Sequence, residues 1–123
     1  MERDRLSDRV IGLAIAVHRE LGPGLLESAY EACLAYELDQ AGVPYQRQVA
    51  LPVTYKNVDL DCGYRLDLLA GGALIVELKT VDAISRVHKA QLLTYLRLSR
   101  LRTGLILNFN SAVLKDGIHR MVL

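Results

Sequence analysis

The spacing of apolar residues in the first third of the chain predicts two helices. Apolar side chains recur every three or four positions over residues 4–21 and again over residues 26–41. A Gly-Pro-Gly run at residues 22–24 interrupts the pattern, and Gly42 suits the left-handed position that commonly ends a helix. We therefore expect two helices joined by a short turn, with a stop at Gly42.

The rest of the chain reads as strands with one further helix among them. Strands are predicted over residues 45–55, 58–70, 73–80, 103–109 and 117–122, and a helix over residues 84–100. Pro52 indicates an edge or a bulge. The order α-α-β-β-β-α-β-β predicts one α/β domain over residues 1–123, in which helices flank a mixed β-sheet and a helix crosses over to a later strand.

Composition favours a folded soluble protein. The 123 residues are 51% hydrophobic and 24% charged, a balance typical of a globular domain and not of a disordered segment. The longest apolar run, residues 10–17, is too short to span a bilayer, and the N-terminus shows no cleavage-site pattern. Cys33 and Cys62 have no metal-ligand spacing, so we expect buried thiols in a reducing cytoplasm.

Charge is distributed unevenly along the chain, although the net charge is only +1. Residues 1–82 hold eight Lys/Arg and thirteen Asp/Glu, whereas residues 83–123 hold seven Lys/Arg and one Asp. A basic helix beside an acidic site would suit a polyanionic substrate, and a solvated helix face explains the same residues equally well. The candidate nucleic-acid contacts on the later helix are Arg86, Lys89, Arg97 and Arg100.

The hairpin predicted over residues 63–80 carries the candidate chemistry. Glu77 and Lys79 are two positions apart on one strand and therefore share a face. An odd-length loop at residues 71–73 places Asp67 opposite Glu77, whereas a two-residue turn would put the two carboxylates on opposite faces. Two carboxylates beside an ammonium suit a divalent metal held against a phosphate. The odd loop also groups five apolar residues on a single face: Leu66, Leu68, Leu74, Val76 and Leu78.

Ordinary structural roles explain several of these residues separately. A solvated strand face with cross-strand ion pairs accounts for the hairpin pattern, because short acidic and basic patterns are common. Glu27 suits the first turn of any helix, where the helix dipole favours a carboxylate. Tyr30 suits a helical core position, and His88 suits a surface or capping position.

Residues 24–30 read Gly-Leu-Leu-Glu-Ser-Ala-Tyr and spell G-x-x-E-x-x-Y. Together with the Asp67 and Glu77-x-Lys79 hairpin, the later helix and the Leu-Asn-Phe-Asn run at residues 107–110, this motif resembles the GxxExxY protein family. That family is placed within the PD-(D/E)xK nuclease-like superfamily. The resemblance covers nearly the whole chain and implies a restriction-endonuclease-like core. Leu66 departs from the pattern, because it stands where the superfamily's name has a proline.

The resemblance also implies a role for each matching residue. Asp67 and Glu77 would bind Mg²⁺ or Mn²⁺, with the Leu78 carbonyl and the Glu27 carboxylate as further metal contacts. Lys79 would position the attacking water and stabilise the charged transition state. A Q-x-x-x-Y pattern on the later helix supplies two further residues to hold the phosphate or the lysine, Gln91 and Tyr95.

The sequence therefore predicts a metal-dependent nuclease that acts on DNA or, less favoured, on RNA. The rival is a non-catalytic nucleic-acid-binding or assembly module that keeps the nuclease fold, which the near-zero net charge favours. A third alternative is a dimeric component of a mobile-element or defence system whose partner supplies targeting. We favour a homodimer, because the last strand is expected at a sheet edge whose unpaired backbone groups invite a partner.

Overall fold

The computed structural model describes residues 4–123, which form three α-helices and seven β-strands. The helices are α1 (Arg5–Leu21), α2 (Glu27–Gln40) and α3 (Arg86–Ser99). The strands are β1 (Tyr45–Ala50), β2 (Val53–Tyr55), β3 (Val58–Leu60), β4 (Arg65–Ala70), β5 (Leu74–Lys79), β6 (Thr103–Asn108) and β7 (Ile118–Val122). Helix α3 lies between β5 and β6 in the chain, and a short 3₁₀ helix, Leu114–Gly117, precedes β7.

Five of the strands form one mixed sheet in the order β1-β4-β5-β6-β7, and β2 pairs with β3 in a separate hairpin. Strands β5 and β6 are parallel, and the other neighbours in the sheet are antiparallel. Parallel neighbours need a crossover connection, which α3 provides. The structure confirms the predicted α/β fold, with helices flanking a mixed sheet, and it places the last strand at an edge.

Two strands of the prediction, over residues 45–55 and 58–70, are each divided in the structure. The first is interrupted at Pro52, whose nitrogen carries no hydrogen for a ladder bond. The second is interrupted around Gly63, which has a φ of 79° and whose N–H donates to Asp61 Oδ1 at 2.9 Å. The predicted order α-α-β-β-β-α-β-β therefore has two strands fewer than the structure. At both positions a local turn ends a strand that the pattern of apolar residues had predicted to continue.

The separated pieces form the β2–β3 hairpin beyond the end of the β1–β4 pair. Its turn residues, Lys56 and Asn57, have φ values of 50° and 67°. Two consecutive left-handed residues give the turn whose twist matches that of paired strands. The predicted turn at these two positions is confirmed, but it closes a hairpin that is separate from the main sheet.

Side chains on the two faces of the sheet alternate between two cores. Helices α1 and α2 cover one face, and α3 covers the other. Each buried leucine contributes roughly 1.5–3 kcal/mol through the apolar area that it removes from water. Under α1 and α2 lie the fully buried side chains of Leu68, Leu74, Val76, Leu105 and Leu107, and against α3 lie those of Ile75 and Ile106.

The β4–β5 hairpin has the three-residue loop that the hydrophobic pattern predicted. Its register pairs Leu68 with Val76 and leaves residues 71–73 as the connection. The two glycines of this loop have φ values of 58° and 66°, which a residue without a Cβ adopts at little cost. The same register brings Asp67 to the position opposite Glu77.

Leu66 is the exception to the predicted apolar face. The pattern groups it with Leu68, but Leu66 packs in the core on the α3 side together with Leu51. The β1–β4 ladder skips the pair Gln48 and Asp67, and Gln48 has a φ of 50°. We attribute the change of face to this break, because strict alternation holds only along continuously extended backbone.

The cysteines differ from the expectation of two buried thiols. Cys33 is half-buried on α2, and Cys62 is exposed in the connection before β4. Among the helices of residues 4–123, none is both long and apolar enough to cross a membrane. The prediction of no signal peptide concerns the N-terminus, of which residues 1–3 lie outside the described part of the chain.

Tyr30 explains part of the G-x-x-E-x-x-Y spacing in structural terms. Its side chain is fully buried and stacks on Phe109, with ring centroids 4.4 Å apart. Its hydroxyl donates to the Gly22 carbonyl at 2.6 Å and accepts from the Leu25 N–H at 3.1 Å. Gly24, between these two loop residues, has a φ of 107°, which strongly favours glycine. The tyrosine thus ties the α1–α2 loop to the first turn of α2.

Replacing Tyr30 with phenylalanine is expected to lower the free energy of unfolding by about 2 kcal/mol. The ring stack would remain, but a buried carbonyl and a loop N–H would lose their partner. Chemical denaturation measures the change. Tyr36→Phe is the matched control, because Tyr36 is 61% exposed on the same helix. Equal stability of the two variants would contradict the anchoring role of the Tyr30 hydroxyl.

Candidate active site

Strands β4 and β5 exchange side-chain hydrogen bonds where their regular pairing stops. The ladder of backbone pairs ends at Leu68 and Val76. Beyond it, the Asp67 N–H donates to Glu77 Oε2 at 3.0 Å, and the Leu78 N–H donates to Asp67 Oδ2 at 2.9 Å. Each carboxylate therefore replaces a backbone carbonyl as the acceptor for the opposite strand. The arrangement fixes both acids in the space between the two strands.

Burial and mutual repulsion make these two acids hard to ionise. Glu77 is only 6% exposed. Burial, and then the charge of Asp67, raise the pKa of Glu77 to about 8. Burial also raises the pKa of Asp67 above its ordinary value, although the bond from the Leu78 N–H opposes that shift. Ionising both acids would therefore place two like charges in a space that water barely reaches, and a bound cation would offset them.

Helix α2 brings two further acids to the same place. Glu27, in its first turn, and Glu31, one turn later, line a cavity of about 370 Å³ together with Asp67 and the β5 residue Leu78. Both glutamates raise the pKa of Asp67 through their charge. Glu27 Oε2 accepts from the Thr80 hydroxyl at 3.3 Å. The predicted convergence of Glu27 on the Asp67 carboxylate is therefore present in the structure.

Glu31 and Gln48 are site residues that the sequence interpretation missed. Glu31 accepts from Gln48 Nε2 at 2.6 Å and forms an ion pair with Arg47 at 3.0 Å. Gln48 Nε2 also lies 3.5 Å from Asp67 Oδ1. The spacing of Glu31 four residues after Glu27 was a usable signal, because such residues share a helix face. Gln48 gave no comparable signal, since its left-handed backbone is a tertiary feature.

Lys79 ends β5 in a half-buried position close to both acids. Its charge lowers the pKa of Asp67 and of Glu77, against the larger effect of burial. The Lys79 carbonyl accepts from the Phe109 N–H at 2.9 Å. The structure therefore brings the three residues of the predicted hairpin motif together.

Asn108, at the end of β6, secures the backbone that follows Lys79. Its side chain is buried, accepts from the Val81 N–H at 3.1 Å and donates to the Val81 carbonyl at 2.8 Å. It also accepts from the Asn110 N–H at 3.2 Å. The asparagine of the Leu-Asn-Phe-Asn run thus acts as a clamp on the segment that carries the lysine.

Of the two residues predicted on helix α3, Tyr95 lies near the acids, whereas Gln91 makes no hydrogen bond to them in the described part of the chain. Burial, and then the charge of Glu77, raise the pKa of Tyr95, so the phenol lies near that carboxylate. Gln91 is half-buried one turn earlier, and within residues 4–123 no hydrogen bond links it to either acid. His88 caps the helix through reciprocal bonds with Ser85, which confirms the capping alternative.

The basic residues of α3 lie on the side of the helix opposite Tyr95. Arg86, Lys89 and Arg97 follow one side of the helix, and Arg100 forms its left-handed C-cap. Lys89 lies near His119 of β7, whose pKa is lowered by burial and by the charge of Lys89. Tyr95, by contrast, faces Glu77 on the central strand. The basic residues and the acids are therefore displaced from each other across the sheet.

The donor set fits a lightly coordinated Mg²⁺ or Mn²⁺. Within residues 4–123, no group of three or more His, Cys, Asp or Glu side chains is arranged as a ready-made metal site. Mg²⁺ needs fewer protein ligands than that, because it keeps several waters and binds through one or two carboxylates plus phosphate oxygens. The hydrogen bonds to the backbone use one oxygen each of Asp67 and Glu77. Two anchored carboxyl groups, each with a second oxygen not used by these backbone bonds, match this requirement.

A mixed sheet with an acid pair and a lysine on adjacent central strands defines a nuclease-like fold. A family model for the PD-(D/E)XK nuclease superfamily matches residues 4–121. The chain belongs to this superfamily, whose substrates are nucleic acids. No curated protein and no solved structure matches the chain significantly.

The protein is expected to lose stability as the pH rises from about 5 to about 8. Folded Glu77 keeps its proton up to a pKa of about 8, whereas the unfolded chain releases it near 4.5. The folded state therefore binds more protons in this window, and the free energy of unfolding falls with pH by at least about 1 kcal/mol. Denaturant unfolding at a series of pH values measures the slope in chelator-treated protein.

Glu77→Gln is the control for this pH dependence. Glutamine keeps an oxygen that accepts from the Asp67 N–H and carries no titrating proton. The variant should therefore show a flatter pH profile than the parent between pH 5 and 8. Identical slopes in the two proteins would contradict the raised pKa of Glu77.

Proposed function

We propose that the chain is a metal-dependent phosphodiesterase that hydrolyses DNA, with RNA as the less favoured substrate. The observation that carries this proposal is the pair of carboxylates, Asp67 and Glu77, anchored between two strands beside Lys79. Membership of a nuclease superfamily supports the choice of a phosphodiester substrate. The G-x-x-E-x-x-Y residues support assignment to the GxxExxY family within it.

Asp67, Glu77 and the Leu78 carbonyl would hold Mg²⁺ or Mn²⁺, with Glu27 reaching it directly or through a water. When bound, the ion would supply Lewis-acid polarisation of the phosphate and a more acidic water. The Thr80 hydroxyl already orients the Glu27 carboxylate. The protein's own contribution would be to keep these oxygen atoms fixed before the substrate arrives, which removes reorganisation from the reaction.

Lys79 would act on the phosphate and on the attacking water. Its ammonium offers three donors to the developing negative charge. The clamp made by Asn108 limits the movement of the backbone after Lys79. Tyr95 and Gln91 would approach from α3 and orient either the lysine or a substrate phosphate oxygen.

A non-catalytic nucleic-acid-binding module remains the second candidate, and one observation favours it. Each acid of the pair already accepts a backbone N–H across the gap, so a purely structural role satisfies both. In either case we propose one domain over residues 1–123 and a cytoplasmic location, which the free cysteines suit. We also propose a homodimer through the β7 edge, where backbone groups lack a neighbouring strand.

Lys79→Ala and Glu77→Gln are each expected to reduce cleavage at least about 100-fold. Each removes a group that would act on the charge developing at the phosphate. Single- and double-stranded DNA and RNA are incubated with Mg²⁺ or Mn²⁺ and, separately, with chelator. Lys115→Ala, an exposed lysine that does not line the cavity beside Asp67, serves as the control. Cleavage that survives both the chelator and Lys79→Ala would rule out this mechanism.

Metal binding has a readout that does not depend on cleavage. A ligand that binds only the folded state at 100 times its Kd raises the free energy of unfolding by about 2.7 kcal/mol. Millimolar Mn²⁺ or Mg²⁺ should therefore raise the melting temperature of the parent and of Lys79→Ala, and much less that of Glu77→Gln. No shift in the parent, with and without oligonucleotide, would argue for the non-catalytic module.

The basic residues of α3 are expected to contribute to nucleic-acid affinity through phosphate contacts. Such contacts release counterions, so replacing Arg86, Lys89, Arg97 and Arg100 with glutamine should reduce the slope of log affinity against log salt by about 3. Fluorescence anisotropy at several salt concentrations measures the slope. Arg5→Gln with Arg19→Gln, on exposed positions of α1, is the control. An unchanged slope in the α3 variant would place the interface elsewhere.

A further inference from the structure

Tyr64 places an exposed aromatic ring beside the candidate site. It precedes β4, is 44% exposed, and its ring centroid lies 5.9 Å from that of Tyr95 at a tilt of 58°. Tyr95 in turn lies near Glu77. One ring therefore separates the buried acid from an aromatic surface that solvent reaches.

The β2–β3 hairpin adds further exposed apolar residues beside the segment that carries Tyr64. It grows from the end of the β1–β4 pair, where the Leu51 N–H donates to the Tyr64 carbonyl at 2.9 Å. The hairpin is held internally by a bond from the Thr54 hydroxyl to Asp59 Oδ1 at 2.6 Å. Its exposed apolar residues, with their exposed fractions, are Tyr55 (59%), Val58 (55%) and Leu60 (44%).

Two cations belong to the same segment of the chain. Lys56 Nζ lies 5.4 Å from the ring centroid of Tyr55, and Arg65, the next residue after Tyr64, is exposed at the start of β4. Aromatic rings flanked by cations are the chemistry with which proteins bind unpaired nucleotides, because bases stack on the rings and phosphates meet the charges. A purely apolar protein partner would not use these charges.

We propose that Tyr64 and Tyr55 form a stacking platform for unpaired bases next to the carboxylate pair. This inference rests on the proposed function and narrows its substrate to single-stranded or locally unpaired nucleic acid. A base inside a duplex is covered on both faces by its neighbours, so only an unstacked base presents a face to Tyr64. The platform thus favours strands whose bases are unpaired and unstacked, whatever their sequence.

The test measures binding of a labelled single-stranded oligonucleotide by anisotropy, in the Lys79→Ala background, with Mg²⁺ and with chelator. Tyr64→Ala should weaken binding about 5- to 150-fold, the range that removal of one stacking ring gives. Tyr64→Phe should bind as the parent does, because it keeps the ring. Tyr55→Ala, on the hairpin, should also weaken binding. Tyr36→Ala removes a tyrosine of α2 that is 61% exposed, and it should have no effect.

An oligonucleotide with abasic positions tests the same contact by removing the base instead of the tyrosine ring. It should bind the parent and Tyr64→Ala equally, since it offers no base to stack. Equal affinity of the parent, Tyr64→Ala and Tyr55→Ala for the intact single strand would overturn the platform. Tighter binding of a fully paired duplex than of the single strand would also overturn it. A third contrary result is a Tyr64→Ala variant that changes only the mass measured by light scattering, because Tyr64 would then serve the pairing of two copies of the chain.

These outcomes are separable from the fate of the proposed function. Loss of stacking with metal-dependent cleavage intact would remove the platform and leave the phosphodiesterase. Base-dependent binding without any cleavage would support the platform on a non-catalytic module. Melting temperatures of the Tyr64 variants confirm that each is folded before its affinity is interpreted.

Discussion

The exchange of hydrogen bonds between Asp67 and Glu77 is the constraint on which the rest of the site depends. Each side chain accepts an N–H from the strand opposite, so the sheet stays open between β4 and β5 without leaving a buried donor unpaired. The cost is one buried acid, Glu77, and one half-buried acid, Asp67, both with raised pKa values. The same carboxyl oxygens therefore contribute to the stability of the sheet and to the chemistry of the site. A substitution at either acid changes both the free energy of unfolding and the site.

Elements from distant parts of the chain converge on this opening. The Tyr30 hydroxyl holds the loop that sets the start of α2, and hence the position of Glu27. On the other side of the acids, Asn108 holds the segment after Lys79. The site is thus supported by hydrogen bonds from α2 and from the end of β6, which is the arrangement that keeps catalytic groups in place.

Periodicity alone predicted the sheet, the three-residue hairpin loop and the opposition of Asp67 to Glu77, because a one-residue slip would have moved a whole apolar face into water. It could not predict what depends on a single backbone torsion or a tertiary contact. The left-handed Gln48 shifts Leu66 to the other core, and Asn108 finds its partner only after folding. Glu31 was missed although it was predictable, since its helical spacing from Glu27 was visible in the sequence.

The parallel pairing of β5 with β6 has a consequence for how the protein is made. Lys79 and Asn108 are neighbours in the sheet, but the whole of α3 separates them along the chain. Closing that loop costs entropy before any contact repays it, so such pairings tend to form late in folding. During synthesis both acids and the lysine leave the ribosome before the strand that clamps them. A newly made chain therefore carries the complete set of charged groups for some time without the geometry that would join them into a site.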